Sequence, residues 1–224
     1  MLSEPLKGSM PKVVDHQARR EHIVDAAWAL IGREGFEAAT MRDIAAEAGF
    51  ANGAIKPYFA SKQKLLEAVF KSAFDRTNER ADLACAHLAG RAAIEAFAHE
   101  VLPLTHETRK EAAGVVAFWG AATDQSEVKA IHERSMQSWR KLIAAWFIQG
   151  QQDGEFTPSQ DPHQAADALV TFMLGAQVVL TMEPRNALPD MLTGQLAALL
   201  DGFTRGVDST PDLGPARDNA QMTA

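Results

Sequence analysis

Apolar residues recur along this chain at helical spacing, and no stretch of useful length alternates as a strand would. Ile23, Ala26, Ala27, Leu30 and Ile31 fall three and four residues apart, and Gly35-Phe36 closes the run. Thr40 is a good N-cap with Asp43 three residues on, and Ile44, Ala45 and Ala48 share the face that follows, ending at Gly49. A short helical stretch from about Asn52 comes next. Ser61 then opens a long helix in which Leu65, Val69 and Ala73 run alongside Leu66, Phe70 and Phe74, reaching towards His87 before Ala89-Gly90 interrupts it. Ala92 to Leu102 is a helix ended by Pro103, and Thr105 opens one through Val115, Val116, Phe118 and Trp119. Asp124 with Glu127 starts a long helix carrying Val128, Ile131, Trp139, Leu142, Ile143, Trp146 and Phe147, closed by Gly154. Asp161-Pro162 starts another, and Leu188 to Phe203 supplies the last. The expected fold is all-α with about nine helices.

One of these helices is unusual. From Ala165 to Leu180 it is apolar on almost every face. The run is shorter than the about 20 residues that span a bilayer, and it carries Gln177. A helix apolar all round is expected to be buried on both sides, one of them by a partner. The helix from Leu188, with Leu192, Leu196, Leu199 and Leu200 at helical spacing and Gly194 allowing close approach, is the natural companion. A homodimer through these two helices is expected, with no membrane association.

The stretch from Thr40 to Phe59, TMRDIAAEAGFANGAIKPYF, has the form of a DNA-binding helix-turn-helix: two short helices joined by a tight, glycine-containing turn. It resembles the N-terminal domain of TetR-family transcriptional regulators. The resemblance covers some sixty residues. It takes in Arg19-Arg20 and the first apolar stripe upstream, and Tyr58-Phe59-Ala60-Ser61-Lys62 with Leu65-Leu66 downstream. Further on, AFWGAATDQSEVKAIHERS and QGQQDGEF are similar to the BetI-type branch. The resemblance implies a sequence-specific DNA-binding regulator, a repressor released from a palindromic operator by a small-molecule effector, and a four-helix bundle formed by the last two helices and their two-fold mates.

Two departures bear on the recognition helix. Ala51 stands where the family usually has Ser, so Asn52 becomes the alternative cap. Lys56 stands where the family often has Tyr, and Pro57 follows. Proline lacks an N–H and clashes with the carbonyl four residues back, that of Gly53, and it pushes Lys56 away from helical dihedrals. The recognition helix is therefore expected to be short or to tighten into a 3₁₀ turn.

The organisation that follows is a disordered N-terminal arm over 1–16, a DNA-binding domain over 17–77 with its motif at 40–59, a ligand-binding and dimerisation domain over 78–206, and a disordered tail over 207–224. The 224 residues suffice for a substantial core. The start of the chain has no apolar run of the kind a signal peptide needs, and the single Cys85 excludes an intramolecular disulfide; both fit a cytoplasmic protein. A net charge of −7 runs against DNA binding, but it is unevenly spread. Residues 1–80 carry 12 Lys and Arg against 11 Asp and Glu, whereas residues 81–224 carry 10 against 18. Acidic groups beyond about 8 Å are largely screened from the DNA end at physiological salt.

The candidate DNA contacts are Thr40, Arg42, Asn52, Lys56, Tyr58 and Lys62. Thr40 and Lys62 sit at helix starts and suit phosphate, Arg42 projects from the first turn of its helix, Asn52 suits an adenine edge, and Lys56 and Tyr58 can reach the backbone. In the acidic part, Phe97, Phe118, Trp119, Phe172 and Met173 lie on several helices, as do Trp139, Trp146 and Phe147, with Asn78, Ser135 and Gln177 as polar companions. Core packing explains most of them, yet ligand cavities between bundle helices have the same composition. The candidate ligand site is Phe74, Asn78, Phe118, Trp139, Met173 and Gln177, for a largely apolar effector.

No metal site or cofactor is expected, because Cys85-Ala86-His87 has no second ligand pair and the glycines near 32 follow no strand. No nucleophile elbow stands in the chain, so enzyme activity is not expected. The alternative to a regulator is an all-helical small-molecule binding protein or enzyme with a vestigial helix-turn-helix. The helix from Ser61 carries Lys62 near one end and Phe74 and Asn78 further along, about 20 Å apart at 1.5 Å per residue, and so offers a rod between the two expected sites.

Overall fold

The structure, a computed structural model, describes residues 15–35, 38–51, 53–122, 126–185 and 188–204. Among them the chain forms eight α-helices and no strand: α1 (His16–Glu34), α2 (Met41–Glu47), α3 (Lys62–Cys85), α4 (Gly90–Val101), α5 (His106–Ala122), α6 (Ser126–Gln152), α7 (Pro162–Met182) and α8 (Pro189–Gly202). The terminal arm and tail, Asn52 and the Asp124 cap fall outside the described residues, apart from the last residues of the arm. The chain divides into two compact units, residues 1–72 and 73–224, and the division falls inside α3.

In the first unit, α1 begins on Asp15, whose carboxylate accepts the N–H groups of Gln17 and Ala18, both at 3.0 Å. Its buried stripe of Ile23, Val24, Ala27, Leu30 and Ile31 packs on α2, where Ile44 and Ala45 are buried, and Leu65, Leu66, Val69 and Phe70 in the first turns of α3 are buried in the same unit. Removing each of these larger side chains from water favours folding by about 1.5–3 kcal/mol, opposed by the entropy of ordering the chain. Thr40 and Asp43 form a reciprocal capping box at the start of α2. Gly49, with φ +70°, turns the chain back, and the amide of Phe50 bonds the carbonyl of Ala45 at 2.8 Å.

At the recognition stretch the described residues 53–58 form a succession of turns and no α-helix, the tightening expected from Pro57, so eight of the about nine expected helices are found among the described residues. Ala54 bonds back to Ala51, Lys56 to Gly53 and Tyr58 to Ile55, each three residues apart. Pro57 has no N–H to offer the Gly53 carbonyl, so that carbonyl takes the amide of Lys56 at 3.2 Å and the turn tightens.

In the second unit, α7 packs on α5 and α6, and α4 packs on α6. Its core holds Phe97, Phe118, Phe147, Leu169, Val170 and Met173. Thr105 and Thr108 exchange bonds at the start of α5: each backbone N–H donates to the other's hydroxyl, at 3.0 and 3.1 Å. Asp161 caps α7 by accepting from His163 N–H at 2.8 Å. Phe156 stacks on Phe147 with centroids 4.2 Å apart, and this needs Gly150, where a Cβ would lie 2.5 Å from the Phe156 ring. α7 runs 21 residues, longer than the apolar run read from the sequence, and its length and composition would suffice to cross a bilayer. Its inner face, from Ala165 through Leu169, Met173 and Gln177 to Leu180, is instead buried against α5 and α6, which is the environment of a core helix.

Candidate functional site

The first unit carries the residues expected at DNA. The Thr40 hydroxyl accepts the Asp43 N–H at 3.2 Å and donates to the Asp43 carboxylate at 2.5 Å, and that carboxylate also takes the Thr40 N–H. The hydroxyl bond from Thr40 holds the Asp43 carboxyl below the usual carboxylate range. Thr40 is therefore committed to the start of α2. Arg42 projects into solvent with its side chain 77% exposed and Asp43 no nearer than 3.9 Å. Lys56 is exposed, while Tyr58 is half-buried with its ring tilted against that of His16 at 5.7 Å. Lys62 stands half-buried at the first position of α3. Asn52 lies outside the described residues.

What holds α2 in place was not visible in the sequence. Arg33, in the last turn of α1, donates two bonds to the Glu47 carboxylate at the end of α2, both 3.0 Å. The fork raises the Arg33 pKa and lowers that of Glu47, in both cases first through the hydrogen bonds between them. A ring nitrogen of His22 reaches the Ala48 carbonyl at 3.1 Å. Arg20 lies over the Phe59 ring at 4.8 Å.

The second unit holds a small cavity of about 30 Å³ between α3, α4, α5, α6 and α7. Phe74, Trp139 and Gln177, three of the six expected ligand residues, line it. Asn78 stands behind Trp139 and accepts its indole N–H at 2.8 Å. Phe118 and Met173 are fully buried and are not part of the wall. Trp119, next in sequence to Phe118, does line the cavity, as do Val115 and Leu174. Helical periodicity alone could not decide which of two adjacent aromatics turns inward to the core. Phe74 and Trp139 meet edge to face with centroids 5.5 Å apart, and Phe97 meets Trp139 from another side at 5.4 Å.

Two carboxylates complete the wall, and one guanidinium ties both down. Arg80 bonds Glu111 twice, at 3.0 and 2.7 Å, and Glu100 at 3.0 Å. The Glu111 bond is the main reason that the Arg80 pKa is raised. His132 packs its ring against Phe74 and Trp119, and burial pushes its pKa down. Among the described residues, no group of three or more His, Cys, Asp or Glu side chains is placed to hold a metal ion.

Comparison with known proteins agrees with both units. Residues 23–69 match the family described as bacterial regulatory proteins, tetR family, and residues 90–205 match the C-terminal domain of the BetI-type transcriptional repressor. The transcriptional regulator BetI of Agrobacterium fabrum is 32% identical over 91% of this chain and 95% of its own length. The regulator PksA of Bacillus subtilis is 33% identical over 60% of this chain and 67% of its own. A transcriptional regulator from Saccharomonospora viridis, solved in complex with choline, is 23% identical with a TM-score of 0.76 over 82% of this chain and 96% of its own, a likeness of fold. A helix-turn-helix stretch held between a capped α2 and the start of α3, the two matched domains and the full-length relative together make this chain a member of the TetR family of bacterial transcriptional regulators.

Proposed function

We propose that the protein is a homodimeric repressor that leaves a palindromic operator when a small, largely apolar molecule enters the cavity beside α3. The observation that supports this most directly is the course of α3. The helix begins with Lys62 after the helix-turn-helix and later supplies Phe74 and Thr77 to the cavity wall. A molecule that displaces Phe74 acts on the same helix that carries Lys62. Release then requires the ligand to favour the conformation with lower DNA affinity, and by linkage operator DNA lowers ligand affinity by the same factor.

The outer faces of α7 and α8 support the dimer. Val178, Met182, Leu188 and Met191 are exposed there, with Gly175 and Gly194 beside them. Joining these faces across a two-fold axis would bury them and set two helix-turn-helix units for half-sites about 34–36 Å apart or a multiple of that. We read the locale of action as the cytoplasm, where operator DNA is found.

The choline seen in the Saccharomonospora viridis relative is a candidate effector, because the single charge of Arg80 offsets only one of the two carboxylates Glu100 and Glu111; the rest of the wall is mostly apolar and aromatic, which suits a largely apolar molecule. The test is a mobility-shift titration on the DNA upstream of the protein's own gene. Retarded DNA that is freed by an effector, with tryptophan fluorescence reporting weaker effector binding when operator is present, is the expected result. An effector that binds equally tightly with and without operator would overturn the coupling.

A further inference from the structure

The polar side chains that line the cavity are nearly all spoken for, and the two exceptions are informative. Trp139 gives its N–H to Asn78 at 2.8 Å. The Thr77 hydroxyl donates to the Ala73 carbonyl at 3.1 Å, and the Thr108 hydroxyl is engaged with Thr105. Glu100 and Glu111 are held by Arg80. Gln177, only 6% exposed, spends its amide N–H on the Val101 carbonyl at 3.3 Å. That carbonyl can only accept, so the amide orientation is settled and Oε1 is the free end of the side chain. Among the described residues this buried Oε1 has no donor, and the buried indole N–H of Trp119 has no acceptor. Both residues line the same cavity. Buried polar atoms are seldom left unpaired, and leaving one so is costly.

Resting on the reading of this cavity as the effector site, we infer that the molecule recognised is an uncharged hydroxylated aromatic, whose ring lies among Phe74, Trp119 and Trp139 and whose hydroxyl accepts from the Trp119 N–H and donates to Gln177 Oε1. A quaternary cation could meet the negative charge that Arg80 leaves over on Glu100 and Glu111, but it has neither an acceptor for the Trp119 N–H nor a donor for Gln177 Oε1. An anion would enter beside those same carboxylates. A hydrocarbon would fill the apolar part and leave both orphaned atoms unpaired. The cavity as it stands is on the scale of one or a few water molecules. The ring therefore enters by moving side chains, and this fits an effector that changes the conformation of the wall.

The test uses four probes of similar size on the full-length protein: phenol, anisole, toluene and phenyltrimethylammonium. Dissociation constants are read by ligand-detected NMR with tryptophan fluorescence in parallel. Phenol is expected to bind at least about tenfold more tightly than toluene or the ammonium, with anisole between phenol and toluene, because a site with buried polar groups rejects analogues that cannot pair them. Gln177→Met removes the Oε1 acceptor together with the amide N–H that bonds Val101, and Trp119→Phe removes the indole N–H together with one ring, so each is expected to bring the phenol-to-toluene ratio close to one whatever it does to affinity as a whole. Toluene binding as well as phenol in the wild-type protein would overturn the hydroxyl assignment and leave the cavity a ligand site. Tightest binding of the ammonium would overturn the neutral class in the same way. Binding of none of the four would remove the cavity as a ligand site, and the inference with it, while operator retardation would still be measured separately.

Discussion

The indole N–H of Trp139 donates to the side-chain carbonyl of Asn78 at 2.8 Å, joining α6 to α3 across 61 residues of sequence. Trp139 is 5% exposed, so its N–H has no ready substitute in water. Asn78→Leu is expected to lower unfolding stability by about 1–3 kcal/mol, the cost of leaving a buried donor unpaired. Chemical denaturation checks this, and Trp139→Phe in the same chain should recover part of the loss because the orphaned donor is then gone.

Thr40→Ala removes the hydroxyl half of the capping box on α2 and leaves the backbone N–H of residue 40 to the Asp43 carboxylate. A loss of about 1 kcal/mol is expected. Because α2 has only seven residues, hydrogen exchange within 41–47 should rise more than the global stability falls. Uniform acceleration across the chain would count against the cap as a local device.

These two sites show what was legible in advance. The caps at Thr40, Thr105 and Asp161 are local chemistry, and each stands at the helix start where the sequence put it. Pro57 also announced its effect, since a missing N–H is a property of the residue itself. The cavity was less legible. Phe74 and Trp139 meet across 65 positions and Arg80 bridges Glu100 and Glu111, pairings that depend on helix packing and leave no periodic trace. Phe118 and Trp119 are neighbours on α5, yet one is core and the other cavity wall, a difference set by about 100° of helical rotation.

Gly175 lies on the exposed face of α7 with nothing within 4 Å of where a Cβ would be. Gly175→Glu should leave the single chain folded, place a charge in the proposed dimer contact, and convert a dimer to a monomer by light scattering at micromolar concentration. Operator retardation is expected to disappear with it. A dimer that persists would move the interface elsewhere.

Lys62→Ala is expected to weaken binding to operator and to random duplex alike and to flatten the slope of log affinity against log salt by roughly one unit, as loss of one phosphate contact does. An unchanged slope would take Lys62 out of the DNA contacts.

Burial, then the positive charge of Arg140, lowers the pKa of His132, so the fold favours its neutral form. The unfolded chain, with a histidine near about 6.5, then binds the proton more readily than the folded one. Stability from this residue is complete above that pH and falls as the pH drops below it. Melting temperature should decline between pH 7 and pH 5, and His132→Gln should reduce the decline. Asp43 and Glu47, whose pKa values are also lowered, act only in more acid solution, so their contribution separates from that of His132.

From Lys62 to Cys85, α3 contains no glycine and no proline, so nothing in its sequence invites a kink. Such a helix carries phase as well as position. One residue inserted at the junction of Ser72 and Ala73 advances everything downstream by about 100° and 1.5 Å, and four residues restore the angle to within about 40° while adding 6 Å. Each unit would keep its own core under either insertion, because neither core is interrupted. A series of such insertions would therefore read out whether effector control passes through this helix as a matter of angle, with the response lost at one residue and partly regained at four.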